Sequence, residues 1–435
     1  AFPVDIRVTR VTADSSDSSL QDTFQWTSFG EIIDDSSTYA NSAYAAVRLD
    51  SMQFQSIPTR KYRIRGVKVR IPGAGANSSG TPSVDSATGR IVYPDGYIFN
   101  GVMGAAQWCS CPSMVLLDLL TTQRYGFGDH ISDSSLDLFS FVNASKFANT
   151  LVDDGFGGQE ARFSCNVNIQ NSGEAFTLIN ELAGVMRSMP IWSAGSITIT
   201  QDKPTDASYL FNLSNVGEGG FSYSGSSLKT RHSVVSVSYF NMDSKEVDFE
   251  VYEDADLISK IGVVIKQVKA FACTSRGQAR RLAKAIVFSE NNESEVVAFT
   301  TSIDSGVVVR PGAVIEIADP VRSGVRRGGR VNTATTTQIT VDDSSSTDLT
   351  TENNPTLSII LPDGTVETKS VSSISSSVIT VSSAFSQTPN PNTIWILQND
   401  AVSSQKFRVI TVEEQEGLVY AITALSYVNE KYAFI

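Results

Sequence analysis

Two stretches far apart in the chain, GAVIEIADP at 312–320 and KFRVITVEEQEGLVYAITALSYV at 406–428, read as strands of one meander. Neighbouring strands of a meander are normally joined by a short turn. Here the connection is itself a series of short apolar runs, QITVD, TLSIILPDG, SVITVSS and NTIWILQ, separated by Ser, Asn and Pro turns. Such runs need a core of their own. A small β-barrel, OB-like, is therefore expected as an insertion at 321–404 into a parent β-rich domain made of 221–320 with 405–435.

The rest of the chain divides by its periodicity. VDIRVTRVT, DTFQWTSFGEII, NSAYAAVRLDS and RKYRIRGVKVRIP alternate in strand fashion, and with a polar, Gly- and Ser-rich excursion loop at 73–100 they make a β-rich segment, 1–100. In RKYRIRGVKVRIP, Tyr62, Ile64, Gly66 and Lys68 share one face and Arg63, Arg65, Val67 and Val69 the other, so neither face is purely apolar. Two helices mark 101–164 as a helical insertion. The first, in WCSCPSMVLLDLLTTQRYGFG, aligns Met114, Leu117 and Leu120, has Pro112 in its first turn and Gly126 as its stop; the second lies in SSLDLFSFVNASKFANTLV. A third helix aligns Ala175, Leu178, Ile179, Leu182 and Met186, is ended by Pro190 and leads into the strand GSITITQDKP, giving a helix-plus-hairpin unit at 165–220. Beyond 221, HSVVSVSYFNM, KEVDFEVYED and EVVAFTTSI return to strands. The predicted class is α+β, β-dominated and multidomain, in keeping with 435 residues at roughly 150 per domain.

One strong helix interrupts those later strands, within CTSRGQARRLAKAIVFSE at 273–290. Ala279, Leu282, Ala283, Ile286 and Val287 form its buried stripe, and Ser275 and Gln278 stand in the spacing of a capping box. Burying Leu282, Ile286 and Val287 contributes roughly 1.5–3 kcal/mol each, more than a surface ion pair at about 0–1 kcal/mol, so packing holds this helix. Arg276, Arg280, Arg281 and Lys284 lie on its flank. In a chain of net charge −12, such a flank is either simply solvated or meets the carboxylates of an adjacent subunit or domain; the second is the expectation carried forward.

The chemical readings are thin. The acidic balance opposes binding of nucleic acid by the surface as a whole, because that binding is driven by Lys and Arg. Cys109 and Cys111 form a lone pair with Cys165 and Cys273 elsewhere, a poor zinc set, so buried thiols and no metal or cofactor are expected. His130 and His232 are the only histidines, and no G-x-S-x-G elbow is present, which disfavours a serine hydrolase. Asp153, Asp154 and Glu160 sit among the glycines of LVDDGFGGQEARFSCN. They are the acids a glycosidase would use, although acidic glycine-rich stretches are commonly just turns. No phosphate-loop Lys accompanies those glycines. No apolar run is long enough to span a bilayer, and the opening AFPVDIRVTR, without Met, basic leader or signal core, reads as a segment of a longer polypeptide.

An ordered set of stretches nevertheless resembles one family. FPVDIRVTRVT, FGEIID, LLDLLTTQRYGFG, DGFGGQEARFSCN, MRSMPIWSAGSITITQDKP, FSYSGSSLKTRHSVVSV, AFACTSRGQARR, RPGAVIEIADP and YAITALSYVNEKYA are similar, in this order, to the central tail-tip (host-specificity, or tip attachment) proteins of lambda-like siphophages. The resemblance implies a structural protein of the virion, not an enzyme, with phage tail hub-like domains. It further implies a homotrimeric ring at the tip of the phage tail that closes the tail tube, supports attachment to the host and lets phage DNA pass through its lumen without specific binding. Other tail-tip and tail-tube proteins and the tape measure protein are the implied partners, with a host outer-membrane receptor reached through regions outside this chain. The rival reading is a tail-associated carbohydrate- or peptidoglycan-cleaving enzyme.

Overall fold

In the computed structural model the described residues are 6–28, 42, 44–50, 52–76, 79–169, 175–193, 195–227, 230–323, 328–342, 354–399 and 405–435. The chain separates into two compact units, Ala1–Tyr62 and Arg63–Ile435.

The first unit has no strand ladder among its described residues, although three alternating runs there are predicted strands. Parts of those runs, residues 4–5, 29–33, 41, 43 and 51, lie outside the described set. What is described is extended chain with local turns, tied by Arg10 to Asp14 and Asp22 at 3.2 and 3.0 Å. Alternation prescribes a strand but does not provide its partner, and a lone strand is not stable in water. The fourth run pairs only at its end, where Val69–Pro72 lies antiparallel to Met103–Gln107.

The second unit holds several cores. Helices Pro112–Thr121, Leu138–Ala148 and Ala175–Val185 surround the first core, which includes Met114, Leu117 and Leu120. Pro112 begins the first helix, which ends at Thr121, ahead of Gly126. The third helix likewise ends before Pro190, and Arg187 follows it with a φ of 50°. Pro190 lies in the strand Ser188–Ser193, paired with Ser196–Gln201. The 73–100 region is less of an excursion than its polarity implies: Ser83–Val84 pairs with Ile91–Val92, while Ile91 and Tyr97 are buried. The Tyr97 hydroxyl donates to Gly73 O at 2.9 Å, which fixes the loop's return.

A six-stranded sheet runs in the order Ser222–Gly225, Glu295–Ser302, Val419–Ser426, Gln405–Gln415, Val314–Ala318, Tyr209–Asn212. Val314–Ile317 pairs antiparallel with Gln405–Arg408, and Gln405–Gln415 turns back on Val419–Ser426. Between Val314–Ala318 and Gln405–Gln415 the chain forms a closed barrel from Gly328–Ala334, Gln338–Val341, Thr356–Ile360, Val366–Ser375, Val378–Val381 and Ile394–Gln398. It has six strands where an OB barrel has five. Trp395 fills its centre and donates from Nε1 to Asp342 Oδ1 at 3.2 Å. Leu210, on the edge of the six-stranded sheet, packs against Ile360, Ile394 and Ile396 of the barrel wall.

A separate three-stranded sheet, Glu246–Glu253, Val234–Asn241 and Ile265–Lys269 in that order, carries the helix Arg276–Asn292 on one face. Their shared core contains Val235, Val237, Tyr239, Ala279, Ala283 and Val287, with Leu282 and Ile286 half-buried beside it. Among the described residues no helix is long and apolar enough to cross a membrane.

Because Trp395 is fully buried among barrel side chains, Trp395→Ala should lower the barrel's stability by about 3–5 kcal/mol. A urea titration that showed no early transition in the variant would contradict this.

Candidate functional site

The Arg276–Asn292 helix begins with Ser275, whose Oγ accepts from Gln278 N at 3.1 Å. That is half of the predicted capping box. The other half is diverted: the Gln278 side chain accepts from Ser164 N at 2.9 Å and donates to Ser164 O at 3.1 Å, binding the helix start to a segment more than a hundred residues earlier. The Ser275 hydroxyl itself donates to Glu160 Oε2. The Leu151–Asp153/Gln159–Ala161 hairpin therefore lies directly on the helix's first turn. Gly277 permits this approach, since a Cβ there would stand 2.6 Å from Glu160 Oε1 and 2.8 Å from Asp154 O.

The four basic residues have three kinds of surroundings, all within this chain. Arg276 Nε donates to Glu250 Oε2 at 2.7 Å and Arg280 Nη1 to Glu250 Oε1 at 3.1 Å. Glu250, on the three-stranded sheet, is buried, so two guanidinium groups neutralise one carboxylate shielded from water. Both also lie over the Phe156 ring at the hairpin tip, at 4.0 and 5.5 Å. The Glu250 hydrogen bond holds the Arg276 pKa above its usual value. Arg281 is not on an open flank: it is buried beneath the hairpin, with Nη2 2.8 Å from Glu160 Oε1 and donating to Arg162 O, and Nη1 donating to Asp153 O. Lys284 Nζ donates to Phe434 O at 3.3 Å, and desolvation pushes its pKa down.

The acids considered for carbohydrate cleavage are occupied by folding. Asp153 Oδ1 accepts from Gly155 N, and Asp154 Oδ1 accepts from Phe156 N and Gly158 N at 2.7 and 2.9 Å. Those backbone donors, Gly158 first, hold the Asp154 carboxyl below its usual pKa. Glu160 anchors Ser275 and Arg281. His130 is exposed on its turn. His232 Nδ1 lies 2.8 Å from Glu290 Oε2, with Lys266 Nζ donating to Glu290 Oε1 at 2.7 Å. All four cysteines are buried free thiols, and burial pushes Cys109 and Cys165 up to about 12 and Cys273 to about 11. Among the described residues no group of three or more His, Cys, Asp or Glu is placed to hold a metal.

Sequence reasoning missed a second ionic centre. Lys431 is buried and reaches Glu293 Oε2 at 2.7 Å and Asp202 Oδ2 at 2.8 Å, while Arg408 Nη2 lies 3.4 Å from Asp202 Oδ1 and the Tyr432 hydroxyl donates to the same oxygen. Burial would raise the Asp202 carboxyl, but Lys431, supported by Tyr432 and Arg408, outweighs it and holds the pKa below 3.8. These residues come from the end of one strand, the middle of another, a helix end and the short C-terminal helix Lys431–Phe434, with no local spacing to announce them.

Comparison with known proteins gives these features a context. A phage tail protein family model matches residues 174–331, from the third helix to the first barrel strand, and a model of the tip attachment protein J FNIII-A domain matches residues 1–35. Tip attachment protein J of Escherichia phage SECphi27 is 28% identical over 439 residues, covering 98% of this chain and 35% of that protein. Its counterpart in Escherichia phage SECphi4 is 28% identical over 416 residues, covering 95% and 35%. The chain thus spans about a third of the length of these curated relatives. Among solved structures, a virion of a native gene transfer agent particle aligns at 11% identity and TM-score 0.35 over 60% of this chain and 41% of its own. A tail protein from Neisseria meningitidis aligns at 9% and 0.31 over 62% and 60%. TM-scores of this size carry no structural argument.

Two predictions follow from the ionic centres. Arg281→Ala should cost about 3 kcal/mol of stability because it strands half-buried Glu160 and several carbonyls, whereas Arg276→Ala, at a side chain 58% exposed, should barely move the denaturation midpoint. Equal effects in urea titrations would refute the distinction. Asp202 has a depressed folded pKa, so its contribution is present above its unfolded pKa and is lost as pH falls through the folded one. Stability should therefore decline on acidification below about pH 4, less steeply in Asp202→Asn, as thermal melts across pH 2–6 would reveal.

Proposed function

We propose, taking as premise the chain's kinship over almost its whole length with the tip attachment proteins J, that it is a structural hub of a siphophage tail tip. In this role it closes the tail tube, supports attachment to the host and allows DNA to pass during ejection. The alignment across 95–98% of the chain carries the reading, because it spans the helical core, both sheets and the barrel together. The ionic centres support it: their carboxylates and cations are committed to joining segments, as a scaffold requires, and Asp153, Asp154 and Glu160 serve a turn and a latch.

On this reading the chain is a homotrimer at the distal end of the tail, in contact with tail-tube, tape measure and other tail-tip proteins, with receptor contact made by regions outside it. Residues 1–100, 165–220 and 221–320 with 405–435 are read as hub domains, 101–164 as a helical insertion and 321–404 as an inserted small barrel. Three copies at −12 each bring a total charge of −36, and a lumen of that sign would repel DNA and so let it slide. Of Arg276, Arg280, Arg281 and Lys284, the exposed Arg276 keeps the most surface for a neighbouring subunit's carboxylate.

Electron microscopy of virions labelled on the barrel should place three copies at the tail's distal tip. Label along the tube, or a single copy per tail, would refute the assignment.

A further inference from the structure

The joint between the helical core and the three-stranded sheet holds a cavity of about 210 Å³. It is walled by Phe163, the end of the Ala175–Val185 helix, the chain leaving the Ile265–Lys269 strand and the Arg276–Asn292 helix. Most of the lining is apolar, with Phe163, Val185, Phe271 and Leu282 bordering the space. Three charged side chains join them, Arg187, Lys269 and Glu181. Two cations thus face one carboxylate, a local excess of positive charge in a chain of net charge −12.

Arg187 is the member whose bonding is incomplete. Its backbone is pinned: at a φ of 50° it takes a conformation that glycine or asparagine usually fills after a helix, its N–H donates to Gly184 O at 3.0 Å and its carbonyl accepts from Asp202 N at 2.8 Å. The half-buried guanidinium lies over the Phe163 ring at 5.3 Å, yet it makes no hydrogen bond or ion pair with the described residues. Burial pulls its pKa down to about 10, and nearby Arg162 and Arg281 push the same way against Asp202. The neighbouring acids are taken: Asp202 holds Lys431 and Arg408, and Glu160 holds Arg281. A partly desolvated group with five donors and no acceptor is costly, and an anion entering the cavity would offset that cost.

We propose that this cavity binds a carboxylate carried on a short apolar stem, with Arg187 gripping the carboxylate while Phe163, Phe271 and Leu282 pack against the stem. The planar fork of a guanidinium matches the two oxygens of a carboxylate, and Lys269, exposed beside it, adds attraction. Apolar walls with a few convergent polar groups are the make-up of a small-ligand pocket. Inorganic phosphate suits it less, because its remaining oxygens would lie against apolar carbon without donors. Two sources carry the chemistry, a free small acid and a Glu or Asp side chain of a second copy. The site is built wholly within one chain, so it stands apart from the hub reading.

Calorimetric titration of the full chain with sodium benzoate tests this, with benzamide and inorganic phosphate as comparison probes. Benzoate should bind roughly ten-fold more tightly than neutral benzamide, and Arg187→Gln should weaken it by a similar factor. Gly184→Leu, at a helical position where a Cβ would meet nothing within 4 Å, narrows the cavity without altering the guanidinium and should weaken benzoate as well. Without probe, Arg187→Gln should melt no lower than the wild type, because it removes a charge that the chain leaves unpaired. A lower melting temperature with benzoate binding kept would make Arg187 purely structural and overturn the site. No benzoate binding, binding indifferent to both substitutions, or tighter binding of phosphate would overturn it too. Analytical ultracentrifugation separates the sources: benzoate that disperses a self-associated chain identifies a second copy's carboxylate as the occupant, and benzoate that binds without changing the mass identifies a free acid.

Discussion

The closeness of the 151–161 hairpin to the first turn of the Arg276–Asn292 helix is the constraint on which much of the larger unit depends. Glu160 receives Ser275 and Arg281 at once, Gln278 locks onto Ser164, and Gly277 lets the two backbones approach. The contact joins the helical core to the three-stranded sheet, elements whose hydrophobic clusters are otherwise distinct. Burying Arg281 is tolerable because its Nη1 and Nη2 donors face carbonyls and a carboxylate fixed by the hairpin. The Lys431 centre plays the same part for the C-terminal turn, gathering Asp202, Glu293 and Arg408 from three other segments.

This division of labour explains how several separate cores hold together in one unit. The helical core is the largest of several apolar cores, and two of the joints between them are ionic and hydrogen-bonded, while the barrel meets the six-stranded sheet through the apolar Leu210 seam. Apolar packing holds each element together, while the joints specify which element meets which. A joint of this kind is unforgiving, because removing one member leaves the others buried and unpaired.

Much of the architecture was legible from sequence because it is written in local periodicity. The 3.6-residue spacing of Met114, Leu117 and Leu120, or of Ala279, Ala283 and Val287, needs no knowledge of what lies opposite. The interrupted meander was equally plain, since Val314–Ala318 and Gln405–Gln415 are strong alternating runs that flank weaker ones. What sequence did not reveal is everything that depends on a partner chosen in three dimensions. Nothing local to Arg281 points to Glu160, and nothing local to Gln278 shows that its side chain abandons the capping box for Ser164. The alternating N-terminal runs fail in the opposite way: the pattern is present, but among the described residues of that unit no ladder partner is.

The barrel's attachment has a mechanical corollary. The chain leaves the sheet after Ala318 and re-enters it at Gln405, the same end of one antiparallel ladder. Tension applied through the barrel would first part the seam of Leu210 with Ile360, Ile394 and Ile396, then load the Ile317–Gln405 rung and peel the ladder open one rung at a time, not shear all its bonds together. Force on the barrel is thus met in sequence, seam before ladder and rung before rung, and never by every bond at once.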